Sequence, residues 1–405
     1  MSLFFLLCLL FILQLTYPFL SVLAARFFSS KPGSALETPV QYDFACVITA
    51  YRNAEIARPL VASLIGQQYP NWMVYWVVDE CPDFQETSGD SRVLLLRPEP
   101  PLRLKAKSII YALAHFQRPH DYVVVFDADN LAHPDFLAAI NRMANRGFSC
   151  IQGQRTAKNL DTDYAALDSL GEHYKNYIER EIPFRLGGSA VISGSGMATA
   201  THLYRAYLAS PEIEQGKQRW KKMLQEDKIL QNFLLRRGER IAYAREAVVY
   251  DEKVDSGAAV ETQRSRWLYS YFQNIPNALG ILRRGIIRLN FNQLYFGFVT
   301  LVLPLFIQLG TAVVLMTAAF LFAPAWGWAL AAALAVFALN IGWVLYLDQA
   351  PPEVWRVCWK TPRFMWRQLR GLFKMRNPNK HFTHTTHHKS VSVEDVLKKK
   401  REKPD

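Results

Sequence analysis

The 405-residue sequence predicts an α/β fold, a doubly wound and mostly parallel sheet, joined to transmembrane helices. Two observations support this fold class. Between residues 40 and 145, short runs of β-branched and aromatic residues alternate with helical patterns, as they do in a sheet wound by crossover helices. Long uncharged segments lie outside this region, and 50% hydrophobic with 13% aromatic content is high for a soluble enzyme.

Three uncharged segments have about the length of a membrane span: residues 3–25, 294–323 and 325–347. The first could also be a signal peptide cleaved after Ala25, but it lacks a basic leading region and is long enough to favour an uncleaved anchor at residues 1–28. Basic clusters flank the spans on the side of the central region and fill the tail. Their placement predicts an integral membrane protein with a cytoplasmic central domain, in a bacterial inner membrane.

The formal net charge of +12 arises largely near the membrane, so anionic lipids are a simpler partner than nucleic acid, which we do not expect. Residues 353–376 interleave Trp and Phe with Arg and Lys, which predicts an amphipathic helix in the membrane interface. Residues 377–405 form a basic cytoplasmic tail, whose final charge run we expect to be disordered. We expect no metal site at the tail histidines His381, His384, His387 and His388.

The central region predicts strands at 45–49, 72–78, 122–126 and 240–244, with helices at 57–67, 107–115, 134–145 and 226–237. Polar residues follow three of these strands: Tyr51, Asp79 and the pair Asp127 and Asp129. Because a parallel sheet binds ligands at the carboxyl ends of its strands, these side chains are expected to meet at one edge.

Asp127 and Asp129 lie two residues apart, so on extended backbone their carboxylates point to one face and can share a divalent cation. A solvated turn is the alternative. The Asp79 carboxylate accepts hydrogen bonds only, which suits the imide N–H of uracil, although Asp is also common in turns. Lys107 opens a helix and could meet a diphosphate, or could be a surface lysine.

Two further motifs follow. Glu226 and Asp227 stand at a helix start, where a carboxylate facing the site could deprotonate an acceptor hydroxyl, and where acidic residues are also common without function. In the Gln263-Arg264-Ser265-Arg266-Trp267 segment, Arg can fork onto a pyrophosphate and Trp can stack on a sugar ring. An amphipathic helix beside the membrane is the alternative there.

Taken in order, these motifs resemble the membrane-bound family 2 glycosyltransferases, the group that includes cellulose, chitin and hyaluronan synthases and ceramide glucosyltransferase. The resemblance covers residues 40 to 267. It implies an A-type glycosyltransferase fold, a UDP-sugar donor, Mg or Mn, and an inverting displacement that gives a β-linkage. Within it, residues 40–255 would form the catalytic domain, 256–292 the membrane-proximal segment with the Gln-x-x-Arg-Trp motif, and 293–348 two spans.

The resemblance also implies roles for individual residues. Tyr51 and Asp79 would hold the uridine, and Lys107 the diphosphate. Asp127 and Asp129 would bind nucleotide and metal, Asp129 being the more direct ligand. On the acceptor side, the base would be Asp227, beside Glu226; Gln263 and Arg266 would lie against the pyrophosphate; and Trp267 and Gly196 would line the acceptor site.

The sequence departs from the family pattern around the first strand, where Thr49, Arg52 and Ala54 replace the usual residues, and in having three predicted spans. The favoured function is transfer of a hexose or N-acetylhexosamine from a UDP-sugar to a growing polysaccharide or a lipid-linked acceptor. The alternative is a catalytically silent membrane partner of a complex for glycan synthesis or export. Such a partner would be expected to lack one of Asp129, Asp227 or Arg266, and all three are present.

Overall fold

A computed structural model describes residues 3–30, 33, 36–85, 88–219, 225–373 and 391–401. The chain divides into two compact units. The first, here called the sheet unit, comprises Pro32–Asn159, Ser189–Lys253 and Arg376–Asp405. The second, the helical unit, comprises Met1–Lys31, Leu160–Gly188 and Val254–Met375.

Within the described chain, eight strands form one sheet in the order β3-β2-β1-β4-β7-β6-β8-β5. The strands are β1 Phe44–Tyr51, β2 Trp72–Asp79, β3 Val93–Leu96, β4 Tyr122–Asp127, β5 Leu131–Ala132, β6 Cys150–Ala157, β7 Met197–Ala200 and β8 Ile241–Asp251. The four predicted strands correspond to β1, β2, β4 and β8. The short strands β3, β5 and β7 are not distinguishable from loops by sequence pattern, because four residues or fewer show no clear period.

The helices of the described chain are α1 Leu3–Phe27, α2 Arg58–Ile65, α3 Lys105–Ala114, α4 Phe136–Ala144, α5 Asp163–Lys175, α6 Ile182–Arg185, α7 Thr201–Leu208, α8 Pro211–Arg219, α9 Glu226–Arg236, α10 Gly257–Ile287, α11 Phe291–Leu301, α12 Leu305–Phe322, α13 Pro324–Leu347, α14 Pro352–Val357, α15 Thr361–Phe373 and α16 Val393–Arg401. A π-helical turn, Asn176–Glu181, connects α5 to α6.

The sheet unit has a parallel half and a mixed half. Parallel pairing joins β1 to both β2 and β4, and β2 to β3. Strand β7 then runs antiparallel between β4 and β6, while β6 and β8 are parallel to each other. β2 is buried along its whole length, which explains its continuous apolar sequence. The predicted α/β sheet with crossover helices is confirmed.

The helical unit contains three helices that are long and apolar enough to cross a membrane: α1, α12 and α13. The predicted span at 294–323 is interrupted, because α11 ends at Leu301 and α12 begins at Leu305. Pro304 lies at this break, where its ring and missing N–H prevent a continuous helix.

Residues 160–188 belong to the helical unit, although they lie inside the predicted 40–255 domain. Tyr174, Tyr177 and Ile178 share one apolar core with residues of α1, α12 and α13. Burial of these side chains against the three apolar helices is the physical reason for the grouping, and the linear pattern does not show it.

The segment after the spans forms α14, a 3-10 turn at Cys358–Lys360, and α15. Trp359 and Trp366 are exposed, and the location of this segment in a membrane interface stays a prediction. In the sheet unit, residues 393–401 form α16 instead of the expected disordered run, and Val393 and Val396 pack against Leu131 and Tyr250. The four tail histidines lie outside the described residues.

Candidate active site

The strand register of the sheet unit brings the predicted polar residues to one edge. Tyr51 at the end of β1 is paired with Asp79 at the end of β2, and Thr49 of β1 is paired with Asp127 at the end of β4. The carboxyl ends of three neighbouring parallel strands therefore carry the aromatic ring and the carboxylates. This is the edge at which such sheets bind ligands.

The turn after β4 is organised by Asn130, whose side chain is buried. Its amide oxygen accepts a hydrogen bond from the Asp127 N–H at 3.1 Å, and its amide nitrogen lies 3.5 Å from Asp129 Oδ1. The short side chain thus closes the turn on itself, in the manner for which Asn is favoured. Asp127 and Asp129 are presented by a turn with internal hydrogen bonds.

Lys105, the first residue of α3, joins the carboxylates of the site. Its Nζ lies 2.7 Å from Asp127 Oδ1 and 3.4 Å from Glu226 Oε1, and donates to the Gly194 carbonyl at 2.8 Å. Burial alone would lower the pKa of Lys105, but Asp127, Glu226 and Asp227 outweigh it and raise the pKa above its ordinary value. The lysine is therefore held as a cation between the two acidic motifs.

The acidic residues respond to this lysine in different ways. Burial tends to raise the pKa of Asp127, but the nearby Lys105 ammonium holds it below its ordinary value. Glu226 is more strongly desolvated, and burial raises its pKa to about 7 despite Lys105, with a further contribution from Asp227. Asp127 is thus ionised at neutral pH, while Glu226 exchanges its proton near neutrality.

Asp227 follows Glu226 in the first turn of α9. Its Oδ1 accepts from the N–H of Lys228 at 2.8 Å, and its Oδ2 lies 3.9 Å from the Lys228 ammonium. The backbone of Gly194, with φ at +79°, passes close by, so that a Cβ there would lie 3.6 Å from Asp227 Oδ2. A left-handed glycine lets the chain approach the carboxylate this closely.

The predicted acceptor residue Gly196 is buried, and its backbone groups serve the sheet. Its N–H donates to the Val125 carbonyl at 2.9 Å, and its carbonyl accepts from the Gly153 N–H at 2.8 Å. The buried Gln152 side chain also holds this loop, donating to the Ser195 carbonyl and accepting from the Ser193 N–H, each at 3.0 Å. Within this loop, the Gly194 carbonyl accepts a hydrogen bond from the Lys105 ammonium at 2.8 Å.

A buried charge frame, defined here as Arg155, Lys158, Asp251, Glu252 and Lys253, lies at the ends of β6 and β8. Lys158 Nζ donates to the backbone carbonyl of Asp129 at 2.9 Å and pairs with Glu252 at 3.2 Å. Arg155 donates to the Ser193 carbonyl at 3.0 Å and pairs with Asp251, which also pairs with Lys253 at 3.0 Å. The frame connects the turn that carries Asp129 to the loop that carries Gly194.

At the outer end of the edge, Glu80 accepts hydrogen bonds from Arg52, Tyr51 and Arg103, which lower its pKa to about 2. Asp79 is buried, and its two oxygens accept from the Leu102 and Arg103 N–H groups at 3.0 and 2.6 Å. Asp79 therefore anchors the loop before α3. Its predicted contact with a base would use the remaining acceptor capacity of the same carboxylate.

The structure separates the two lysines of α3. Lys107 is exposed, while Lys105 lies among the carboxylates. The difference has a sequence signal, because Lys105 precedes the buried Ile109 by four residues and so lies on its face of the helix. Contact of Lys107 with a diphosphate stays a prediction.

The Gln-x-x-Arg-Trp motif lies within α10, in the helical unit. The Oε1 of Gln263 is buried without a hydrogen-bond partner in the described part of the chain. Burial lowers the pKa of Arg266. Trp267 is 40% exposed, so its ring remains accessible to a ligand.

The donor set can accommodate a hard divalent cation. Among the described residues, no three His, Cys, Asp or Glu side chains form a group that could hold a metal ion by themselves. Asp127 and Asp129 supply two carboxylates on one short turn. Mg²⁺ is commonly held by one or two carboxylates together with substrate phosphates, so this pair fits a metal that arrives with a diphosphate.

Comparisons with known proteins identify the family and the fold. The sequence model described as glycosyltransferase like family 2 matches residues 41–270. A mannosyltransferase from Pyrobaculum calidifontis, solved in complex with GDP-Man and Mn²⁺, is similar in structure with a TM-score of 0.57 and 17% sequence identity, over 92% of this chain and 98% of that one. A search of curated proteins gives no match. The fold is that of the A-type glycosyltransferases, and the chain belongs to the glycosyltransferase-like family 2.

Proposed function

We propose that the protein transfers a hexose or N-acetylhexosamine from a UDP-sugar to a lipid-linked acceptor or a growing glycan, with inversion. The observation that carries the proposal is the position of Lys105, which contacts both Asp127 and Glu226. The carboxylate that follows β4 and the acidic start of α9 therefore meet at one cation. Transfer from a nucleoside diphosphate sugar requires the groups that bind the donor and the groups that activate the acceptor to lie close together, as these two carboxylates do.

In the proposed reaction, Asp227 accepts the proton of the acceptor hydroxyl while the oxygen of that hydroxyl attacks the anomeric carbon. The bond between that carbon and the diphosphate oxygen breaks, and UDP leaves with the electron pair. A single displacement converts the α-linked donor into a β-linked product. Lys105 lies where it can interact with the departing diphosphate, while the Lys228 N–H orients the Asp227 carboxylate.

Asp127 and Asp129 would hold Mg or Mn together with the diphosphate oxygens. When bound, the metal would neutralise negative charge on the leaving diphosphate. Tyr51 and Asp79 would contact the uridine, and Lys105 would take the part first assigned to Lys107. Use of a nucleotide sugar and a divalent metal is supported by the Pyrobaculum mannosyltransferase, whose GDP-Man also makes GDP-sugars necessary members of a donor panel.

The membrane arrangement belongs to the same proposal. Three helices are long and apolar enough to span a membrane, and Arg283, Arg284 and Arg288 precede α11. The positive-inside rule supports a sheet unit in the cytoplasm of a bacterial cell. Gln263 and Arg266 would contact the pyrophosphate, and Trp267 the acceptor.

The test measures UDP or GDP release from a panel of nucleotide sugars by the full chain in lipid nanodiscs, with Mg or Mn. We expect one donor to be turned over, and Asp227→Asn to reduce the rate by about 100-fold or more. Asp121→Asn is the matched control, because Asp121 is exposed just before β4, at the strand end opposite Asp127. Full activity of folded Asp227→Asn would exclude it as the base.

A further inference from the structure

Two cations border the ring of Trp267 in the helical unit. The Lys175 Nζ lies 5.1 Å from the ring centroid, and the guanidinium carbon of Arg264 lies 4.3 Å from it. Both distances are within the range of cation–π attraction. The ring that was expected to stack on a sugar is therefore the centre of a cationic site.

The two cations differ in how their charge is balanced. Arg264 forms a close ion pair with Asp168, which is 6% exposed. Lys175 forms no ion pair within 4 Å in the described part of the chain, although Glu179 acts on it from a greater distance. Burial, opposed by Glu179 and assisted by Arg264, lowers the pKa of Lys175.

A half-buried ammonium without a carboxylate at ion-pair distance is unfavourable, because part of its hydration is lost and the more distant Glu179 replaces it only in part. The nearby carboxylates Asp168 and Glu172 are already paired with Arg264 and Arg180. An anionic ligand at Lys175 would supply the missing charge. It would also lie beside the exposed part of Trp267.

Lys175 is also close in sequence to residues packed among the spans. It ends α5, and the flanking Tyr174 and Tyr177 belong to the apolar core shared with α1, α12 and α13. The rings of Tyr174 and Phe337 have centroids 5.9 Å apart. A ligand with an apolar chain in the bilayer and a polar head at its surface would suit this position.

We propose that Lys175, Arg264 and Trp267 bind the phosphate group of a phosphate-bearing lipid acceptor. Lys175 supplies the charge, as an ammonium does for phosphates generally, and Trp267 borders the head group. Arg264 positions the ring and is itself held by Asp168. This inference rests on the proposed glycosyl transfer and selects among its acceptors, in place of a neutral glycolipid or a soluble glycan.

The experiment uses the full chain and a long-chain isoprenoid alcohol, either as its monophosphate or unphosphorylated. Native mass spectrometry in detergent measures lipid binding without turnover, and nucleotide release in nanodiscs measures transfer. We expect the wild-type protein to retain the monophosphate over the alcohol. Lys175→Gln should weaken this binding by about 10-fold or more and raise the acceptor KM while leaving the donor KM unchanged.

Two variants serve as controls. Lys175→Arg keeps the charge and should retain binding within a few-fold of the wild-type protein. Lys399→Gln removes an equal charge from an exposed position on α16 and should have no effect. If Lys175→Gln fails to fold, Asp168→Asn is used instead, because it removes the carboxylate that holds Arg264. Loss of the preference for the monophosphate in Asp168→Asn supports the proposal. An unchanged preference overturns it.

Equal binding of the monophosphate and the alcohol would overturn the proposal, as would unchanged phosphate preference in folded Lys175→Gln. Inorganic phosphate is included as a competitor, and displacement of the lipid by low millimolar phosphate would show that the site takes a free anion instead. Failure of the proposed function is recognised by a different result, namely that the wild-type protein turns over no donor with any acceptor. The binding measurement remains decisive in that case.

Discussion

Lys158 is expected to determine how tightly the proposed divalent metal binds, although the lysine side chain is only 3% exposed. Its Nζ holds the Asp129 backbone carbonyl at 2.9 Å and the Glu252 carboxylate at 3.2 Å. Lys158→Met keeps an unbranched apolar side chain as far as Cε but removes the ammonium and both of its interactions. We expect the metal concentration for half-maximal activity to rise by about 10-fold to 100-fold, as when other supports of metal ligands are removed.

The same substitution also affects folding, because the Glu252 carboxylate, which is 8% exposed, would lose its ion pair with Lys158. Breaking a buried ion pair from one side costs about 3–5 kcal/mol, which is a large part of the stability of most domains. The double variant Lys158→Met with Glu252→Leu removes both charges and should recover most of this loss. It cannot restore the hydrogen bond to the Asp129 carbonyl, so its metal dependence should remain weakened.

The assay titrates Mn²⁺ at saturating donor and follows nucleotide release, while thermal unfolding in detergent reports stability. Lys399→Gln controls for the change in net charge. The reasoning would be refuted by a double variant that is stable and has the wild-type Mn²⁺ midpoint. In that case the Lys158 contact with the turn would have no part in holding Asp129.

Three further outcomes are expected. Burial raises the pKa of Glu226 from 4.5 to about 7, so between these pH values the folded protein holds a proton on Glu226 that the unfolded chain has released. The unfolding free energy should therefore fall by about 3 kcal/mol as the pH rises through this range. Glu226→Gln should lack this decline in thermal unfolding scans, and an unchanged slope would contradict the assignment. Asp129→Asn should reduce Mn²⁺-dependent binding of UDP in calorimetry by about 10-fold or more, and equal affinity would exclude Asp129 as a metal ligand. Val396→Asp places a charge in the apolar contact of α16 with Leu131 and Tyr250 and should lower thermal stability by about 2 kcal/mol or more, whereas an unchanged unfolding temperature would mean that this contact contributes little.

The parts of the fold that sequence pattern predicted well are those whose signal is local. Strands β1, β2 and β4 are apolar runs that end in polar residues, and this is sufficient to predict both the strands and the edge where they meet. The three apolar segments are likewise visible from their length and lack of charge, and each contains a helix that is long and apolar enough to cross a membrane. The interruption of the second apolar segment at Pro304 was overlooked, although proline itself was the visible signal.

The sequence indicated the acidic residues that the structure brings near one another, and it gave less indication of the lysine between them. Lys105 could have been preferred over Lys107 from helical phase, since two residues apart on a helix point in widely different directions. The frame that includes Lys158 had no comparable signal. Lys158 and Glu252 are far apart in sequence, and nothing near either one indicates the other.

The sequence by itself determined strands β1, β2, β4 and β8, the three apolar segments and the family, because apolar periodicity and the order of short motifs are properties of neighbouring residues. Only the tertiary structure decided which cations serve the carboxylates: Lys105 between Asp127 and Glu226, and Lys158 beneath Asp129. It also showed that Lys175 borders the Trp267 ring. The physical reason is that the effect of a charge depends on its distance from other charges and on its exposure to water, and both are set by packing between distant segments of the chain.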